Sequence, residues 1–236
     1  MNLGGFHFRL GPSVAALIGL AILLSLGTWQ IQRLQWKQEL IAKIEARMDA
    51  PPMAYSLAME DMRHGEDMGF TNVVATGEYE PEKEIYVFGM MDGQAGYFVF
   101  TPLKLQETAG DWVYINRGFA AGMEPPTDMA LASLPKEVTG VLRLWQGRPK
   151  LASMFTPEPD IEGRIWYERD IAAFNQVNDT DTPLVWIDAD GAEGSALRPA
   201  ETLVNLTNRH LEYALTWYGL ALTLVVVFLG FSRKRD

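Results

Sequence analysis

Two long uncharged stretches lie near the two ends of the chain. Residues 10–32 include 23 positions without a charge, centred on SVAALIGLAILLSLGTW, and residues 213–232 include another 20. An α-helix rises about 1.5 Å per residue, so each stretch is long enough to cross a hydrocarbon layer of about 30 Å. The pattern predicts transmembrane helices over 10–32 and 210–232. A cleaved signal peptide, the alternative for the first stretch, is disfavoured because no A-x-A site follows it.

The first helix is predicted to continue beyond the membrane to about residue 50. The segment WQIQRLQWKQELIAKIEARMDAPP keeps an apolar stripe at spacings of seven, four and four from Trp29 to Ile44. This spacing is typical of one face of a helix. The consecutive prolines at 51–52 are expected to end it.

The middle of the chain, residues 53–206, changes to alternating or short apolar runs. Six predicted strands are FTNVVATGEY, EIYVFGM, YFVFTPLKL, DWVYINRGF, EVTGVLRLW and PLVWIDAD, with ETLVNL as a candidate seventh. Only one short helix is predicted, over 170–177 (DIAAFNQV), so antiparallel pairing is the natural arrangement. The expected fold is therefore a two-helix transmembrane hairpin with an inserted external domain that is β-rich, antiparallel, barrel-like and of the α+β class.

Charge predicts the orientation of this hairpin. The C-terminal tail SRKRD and Arg9 make both ends basic, and basic ends stay in the cytoplasm. The large domain is then expected in the periplasm of a bacterial inner membrane, because no Arg- and Ser-rich presequence precedes the first apolar run. The chain carries a net charge of −10, which argues against binding to nucleic acid or to anionic lipid surfaces.

The residues offer little for catalysis, and no enzymatic activity is predicted. Cysteine is absent, which excludes thiolate nucleophiles and Cys-x-x-Cys copper carriers. His64 is the one histidine of the predicted external domain, and no G-x-S-x-G, G-x-G-x-x-G or Walker pattern occurs. The methionines of MEDM and of Met90–Met91 suggest copper ligation, but core packing is the favoured interpretation.

The start of the second apolar helix carries the most informative pattern. His210, Tyr213 and Trp217 are spaced by three and four residues, so they share one helix face. Two helices of a hairpin usually pack side by side. Trp29 and Arg33 on the first helix, and Arg209 beside His210, are therefore expected at the same depth.

Two interpretations of these six residues remain open on the residues alone. An imidazole can bind haem iron axially, aromatic rings can flank the macrocycle, and guanidinium groups can pair with its carboxylates. The alternative is an ordinary aromatic belt at the membrane surface, with His210 as a polar residue at a helix start.

Several motifs resemble the Surfeit-locus family of cytochrome c oxidase assembly factors. They are LGTWQIQRLQWKQELIAKIEAR, GYFVFTPL, VYINRGF, FTPEPD…IWYERD, PLVWIDAD and NRHLEYALTWYGLAL, in this order along nearly the whole chain. The resemblance implies a two-pass membrane protein without enzymatic activity that binds haem a through a histidine at the position of His210. It further implies transfer of haem a to oxidase subunit I, with haem a synthase as another candidate partner. A membrane-tethered scaffold for oxidase subunits, without haem, is the alternative function.

Overall fold

The computed structural model describes residues 9–107, 111–126, 136–145, 147, 156–191, 195–199 and 209–233, together with the backbone of residues 2–3 and 6–7. The chain forms two compact units. The helical unit comprises Met1–Lys43 and Val204–Asp236, and the sheet unit comprises Ile44–Leu203. The sheet unit thus includes the last residues of the first long helix.

The described elements follow one another along the chain in a simple order. They are β1 (Asn2–Leu3), β2 (Phe6–His7), α1 (Leu10–Met48), β3 (Met53–Ala54), α2 (Tyr55–Arg63), β4 (Asn72–Tyr79), a 3-10 turn (Pro81–Lys83), β5 (Ile85–Met91), β6 (Gln94–Leu105), β7 (Trp112–Ala121), β8 (Glu137–Leu144), β9 (Ile165–Trp166), α3 (Ile171–Asn178), β10 (Val185–Ala189) and α4 (His210–Ser232).

The helical unit consists mainly of α4 and the greater part of α1, which are both long and apolar enough to cross a membrane by length and composition. Most of their apolar side chains are exposed, among them Leu17, Val227 and Phe231. Soluble proteins normally bury such side chains, because exposed apolar surface is unfavourable in water.

Small residues allow α1 and α4 to approach closely. A Cβ atom at Gly27 would lie 2.8 Å from Cε1 of Tyr218, so the phenol ring occupies the space that a larger residue would need. Ala214 and Ala221 of α4 are also buried. The Tyr218 hydroxyl lies 3.2 Å from Thr28 Oγ1, which adds a polar contact between the helices.

The sheet unit contains one mixed sheet, with the strand order β3-β4-β8-β10-β7-β6-β5-β9. An additional pairing joins β4 to β6, so the hydrogen bonds follow a closed path through β4, β8, β10, β7 and β6. All five of these strands contribute side chains to one core cluster, which includes Val73, Leu103, Ile115, Leu142 and Ile187.

The prediction of a wholly antiparallel sheet is wrong. β10 runs parallel to β7, while β3 pairs in parallel with β4 and β5 with β9. The physical reason for the first pair is α3, whose crossover allows the chain to return in the same direction. The Asp170 carboxylate caps this helix by accepting a hydrogen bond from the Ala173 amide. The candidate strand ETLVNL lies outside the described residues.

A second core cluster lies where α3 covers the sheet. Phe174 of this helix makes edge-on contacts with Phe100, Tyr114 and Trp166, with ring centroids 5.4 to 5.7 Å apart. Aromatic pairs in this geometry gain about 0.5–1.5 kcal/mol beyond the burial of their area. α2 contributes Tyr55 to the first cluster instead.

Candidate functional site

His210 is the first residue of α4, and its side chain contacts α1. Its Nδ1 atom lies 2.7 Å from Oε1 of Gln30, whose side chain is buried with 9% of the residue exposed. An amide oxygen only accepts hydrogen bonds, so this contact is a hydrogen bond in the tautomer with the proton on Nδ1. Nε2 then carries the lone pair with which a neutral imidazole binds a metal.

The aromatic residues predicted beside His210 differ in their surroundings. Trp29 is 53% exposed and Tyr213 is 52% exposed, so both rings present apolar faces on the surface of the helical unit. Trp217 is partly buried, and its indole Nε1 is buried without a hydrogen-bond partner. These rings therefore provide two exposed apolar surfaces and one buried donor.

The two predicted arginines lie on the surface and have weak local partners. The Arg33 guanidinium stacks on Trp36, with Cζ 4.1 Å from the ring centroid. Arg209 precedes α4 and pairs with Glu212, with Nε 3.5 Å from Oε2. Exposed contacts of this kind are worth only about 0–1 kcal/mol, so either guanidinium could exchange its partner for an anionic ligand at little cost.

The structure thus joins His210 to α1 through a residue that the sequence analysis missed. Gln30 directly follows Trp29 in the motif LGTWQ, within the stretch that lacks charges. A polar side chain in a membrane-length apolar segment is costly unless it has a partner. That cost is the signal that could have identified Gln30.

The residues considered for other chemistry have structural roles or are exposed. His64 follows α2 in an exposed position. Met59 and Met62 pack against the first core cluster, while Met90 is exposed. Among the described residues, no group of three His, Cys, Asp or Glu side chains could hold a metal ion.

The sheet unit buries a polar network around Glu84. Oε2 of Glu84 accepts hydrogen bonds from Arg117 at 2.9 Å and from Thr101 at 2.7 Å, and Oε1 accepts from the Tyr86 hydroxyl at 3.0 Å. Burial, followed by the charge of Glu84, raises the pKa of Tyr86 to about 12, so its hydroxyl remains a donor. Because both oxygens of the Glu84 carboxylate accept hydrogen bonds, this carboxylate has a structural role.

A second buried carboxylate joins the parallel strands β7 and β10. Oδ1 of Asp188 accepts hydrogen bonds from Asn116 at 2.7 Å and from the Trp186 indole at 2.8 Å. Its Oδ2 lies 3.3 Å from the Arg143 guanidinium. Because these donors come from three neighbouring strands, the carboxylate holds the strands in register.

The fold and the site define a class of protein: paired terminal apolar helices that carry an inserted mixed-sheet domain, with a histidine at the start of the second helix. A model of the SURF1 family matches residues 17–222. The chain belongs to the SURF1 family, which confirms the resemblance inferred from the motifs.

Named relatives cover most of this chain. It is 31% identical to Surfeit locus protein 1 of Rattus norvegicus over 91% of this chain and 74% of that protein. It is 30% identical to a SURF1-like protein of Rickettsia felis, over 94% of this chain and 97% of the relative. The similarity to the bacterial relative therefore extends over nearly the full length of both chains.

Proposed function

We propose that this chain is a non-enzymatic assembly factor for cytochrome c oxidase that binds haem a and supports its insertion into subunit I. Membership of the SURF1 family supports the assembly role. The observation that carries haem binding is the 2.7 Å contact between His210 and Gln30. It leaves the lone pair on Nε2, as in most metal-binding histidines whose second nitrogen donates to a neighbouring acceptor.

The surrounding residues fit an amphipathic macrocycle as cargo. Nε2 of His210 would bind the iron, and the exposed rings of Trp29 and Tyr213 would cover apolar parts of the ring. Arg33 and Arg209 would pair with the propionates, since guanidinium groups bind carboxylates in a bidentate manner. The partly buried ring of Trp217 would support the exposed rings of Trp29 and Tyr213 from between the two helices.

One histidine ligand and the absence of cysteine suit a carrier that must also release its cargo better than a fixed electron-transfer centre. The receiving partner would be subunit I, and haem a synthase is a candidate donor. Both partners would have to reach His210 at the membrane surface, because α4 begins at this residue.

We further propose that α1 and α4 cross a bacterial inner membrane with both termini in the cytoplasm and the sheet unit in the periplasm. The length and apolar composition of the two helices support the crossing. The basic tail after α4, with Arg233, Lys234 and Arg235, supports the orientation.

Substitution of His210 tests the haem proposal directly. His210→Ala protein, purified in detergent from cells that make haem a, is expected to lose most of the haem that copurifies with the parent chain. Absorption spectroscopy would measure the ratio of haem a to protein. His64→Ala is the matched control, since it removes an exposed histidine of the sheet unit and should leave this ratio unchanged.

The same measurement separates this proposal from its main alternative. If His210→Ala retains haem a at the parental ratio, His210 does not hold the iron. Retention of oxidase assembly in cells by that variant would then favour a scaffold that acts without haem.

A further inference from the structure

Gln30 occupies an unusual position for an amide side chain. It lies in the uncharged part of α1, is almost fully buried, and faces the first residue of α4. Burying an amide away from water costs several kcal/mol unless a hydrogen bond compensates for it. The contact with His210, 2.7 Å long, provides such a bond.

We propose that Gln30 is a positioning residue that sets how fast His210 releases its haem, an inference that rests on the proposed function. The Gln30 oxygen accepts a hydrogen bond from Nδ1–H, which selects the tautomer with the lone pair on Nε2. It also limits rotation of the imidazole, because the acceptor is fixed in the buried face of α1.

Gln30 carries an amide group and therefore has no charge. A hydrogen bond from Nδ1–H makes Nε2 a better electron donor, and a carboxylate acceptor strengthens this effect more than an amide does. Histidines that bind a metal donate this hydrogen to carboxylates, backbone carbonyls or waters. The neutral amide therefore orients the ligand while leaving its bond to iron weaker than a carboxylate would.

The hydrogen bond between Gln30 and His210 joins two different helices. Gln30 belongs to α1 and His210 to α4, and 180 residues separate them in the chain. The hydrogen bond from His210 to Gln30 forms only while the helices are paired. The ability to hold haem thus depends on the close packing of α1 with α4.

Two variants of nearly the same size as Gln30 test this proposal. Gln30→Met removes the acceptor, and Gln30→Glu replaces it by a carboxylate. The full chain in detergent, loaded with haem a, would be mixed with excess apomyoglobin as an acceptor, and the rate of haem loss would be followed by absorption. The reduction potential of the bound haem would be measured in parallel.

We expect the two variants to change both quantities in opposite directions. Gln30→Met should release haem roughly 10–100 times faster and raise the reduction potential, since second-layer hydrogen bonds to metal ligands have effects of this size. Gln30→Glu should release haem more slowly, by about tenfold, and lower the potential. If Gln30→Met does not fold, the result for Gln30→Glu alone tests the proposal. Glutamate keeps the length of the side chain and its accepting oxygen.

Other outcomes overturn the inference in distinguishable ways. If both variants accelerate release, or if neither changes the potential, Gln30 acts in packing and does not tune the ligand. Should His210→Ala keep haem a at the parental ratio, the proposed function itself fails. Loss of haem in His210→Ala together with unchanged Gln30 variants would overturn only the role of Gln30.

Discussion

At the scale of single residues, Glu84 and Arg117 show how the sheet unit tolerates buried charge. Only 7% of each side chain is exposed, and the two charged groups lie 2.9 Å apart. Removing ions from water costs several kcal/mol each, which mutual attraction offsets only when the remaining hydrogen bonds are made. Thr101 and Tyr86 make these bonds to Glu84.

Breaking this pair on one side should destabilise the protein strongly. We expect Arg117→Met to lower the free energy of unfolding by about 3–5 kcal/mol, because Glu84 would remain buried without a counter-ion. Urea unfolding of the full chain in detergent, followed by tryptophan fluorescence, would measure the change.

The double variant Glu84→Met/Arg117→Met is the control for this prediction. It leaves no buried charge at this position, so it should lose less stability than the sum of the two single variants. Strictly additive losses would show that the two groups do not stabilise each other.

At the scale of elements, the pairing of α1 with α4 depends on small side chains. Gly27 leaves room for the Tyr218 ring, and Ala214 is only 1% exposed. In a membrane, close contact between helices replaces the hydrophobic effect as the main source of association. Any change that separates the helices also separates His210 from Gln30.

Adding one methyl group at Gly27 should weaken this pair. We expect Gly27→Ala to destabilise the helical unit by about 1–3 kcal/mol, because the new Cβ would displace the Tyr218 ring. Thermal unfolding in detergent, monitored by circular dichroism, would report the loss.

Gly219→Ala is the matched substitution for comparison. A Cβ at Gly219 would meet no atom within 4 Å, and alanine favours a helix over glycine by about 1 kcal/mol. This variant should be as stable as the parent chain or more stable. Equal destabilisation by both variants would contradict the role of the contact between Gly27 and Tyr218.

At the scale of the whole molecule, the chain combines a helical unit with exposed apolar surface and an acidic sheet unit. The net charge of −10 contrasts with the basic C-terminal tail. This asymmetry supports the proposed orientation, since basic segments remain in the cytoplasm.

Labelling of single cysteines would test this orientation, because the chain has none of its own. A membrane-impermeant maleimide added to intact spheroplasts should label Glu66→Cys in the exposed loop of the sheet unit. Asp236→Cys should react only after the membrane is permeabilised. The opposite pattern, or labelling of both sites in intact spheroplasts, would refute the proposed topology.

The sequence correctly predicted those helices and strands whose structure is decided by residues close together in the chain. The length of the two uncharged stretches predicts α1 and α4. Alternating or short apolar runs predict β4 to β8 and β10. The helix expected over 170–177 corresponds to α3, Ile171–Asn178. α2 was missed because its nine residues are too few for a distinctive period.

Strand direction could not be read from the same patterns. Val185–Ala189 has the composition of a strand, but its apolar run is the same for parallel and antiparallel partners. Packing of Phe174 against Phe100 places α3 on the sheet, and this crossover decides the parallel pairing with β7. The barrel-like form expected for the domain stays a prediction.

The sequence by itself determined the two apolar helices, the main strands and the family, and it singled out His210 as a candidate ligand. All of these depend on residue type, spacing and order, which are local properties of the chain. Only the tertiary structure decided the mixed pairing of the sheet and the identity of the residue that holds the imidazole. Gln30 meets His210 because two distant helices pack at a particular rotation, and that rotation depends on contacts such as Gly27 with Tyr218.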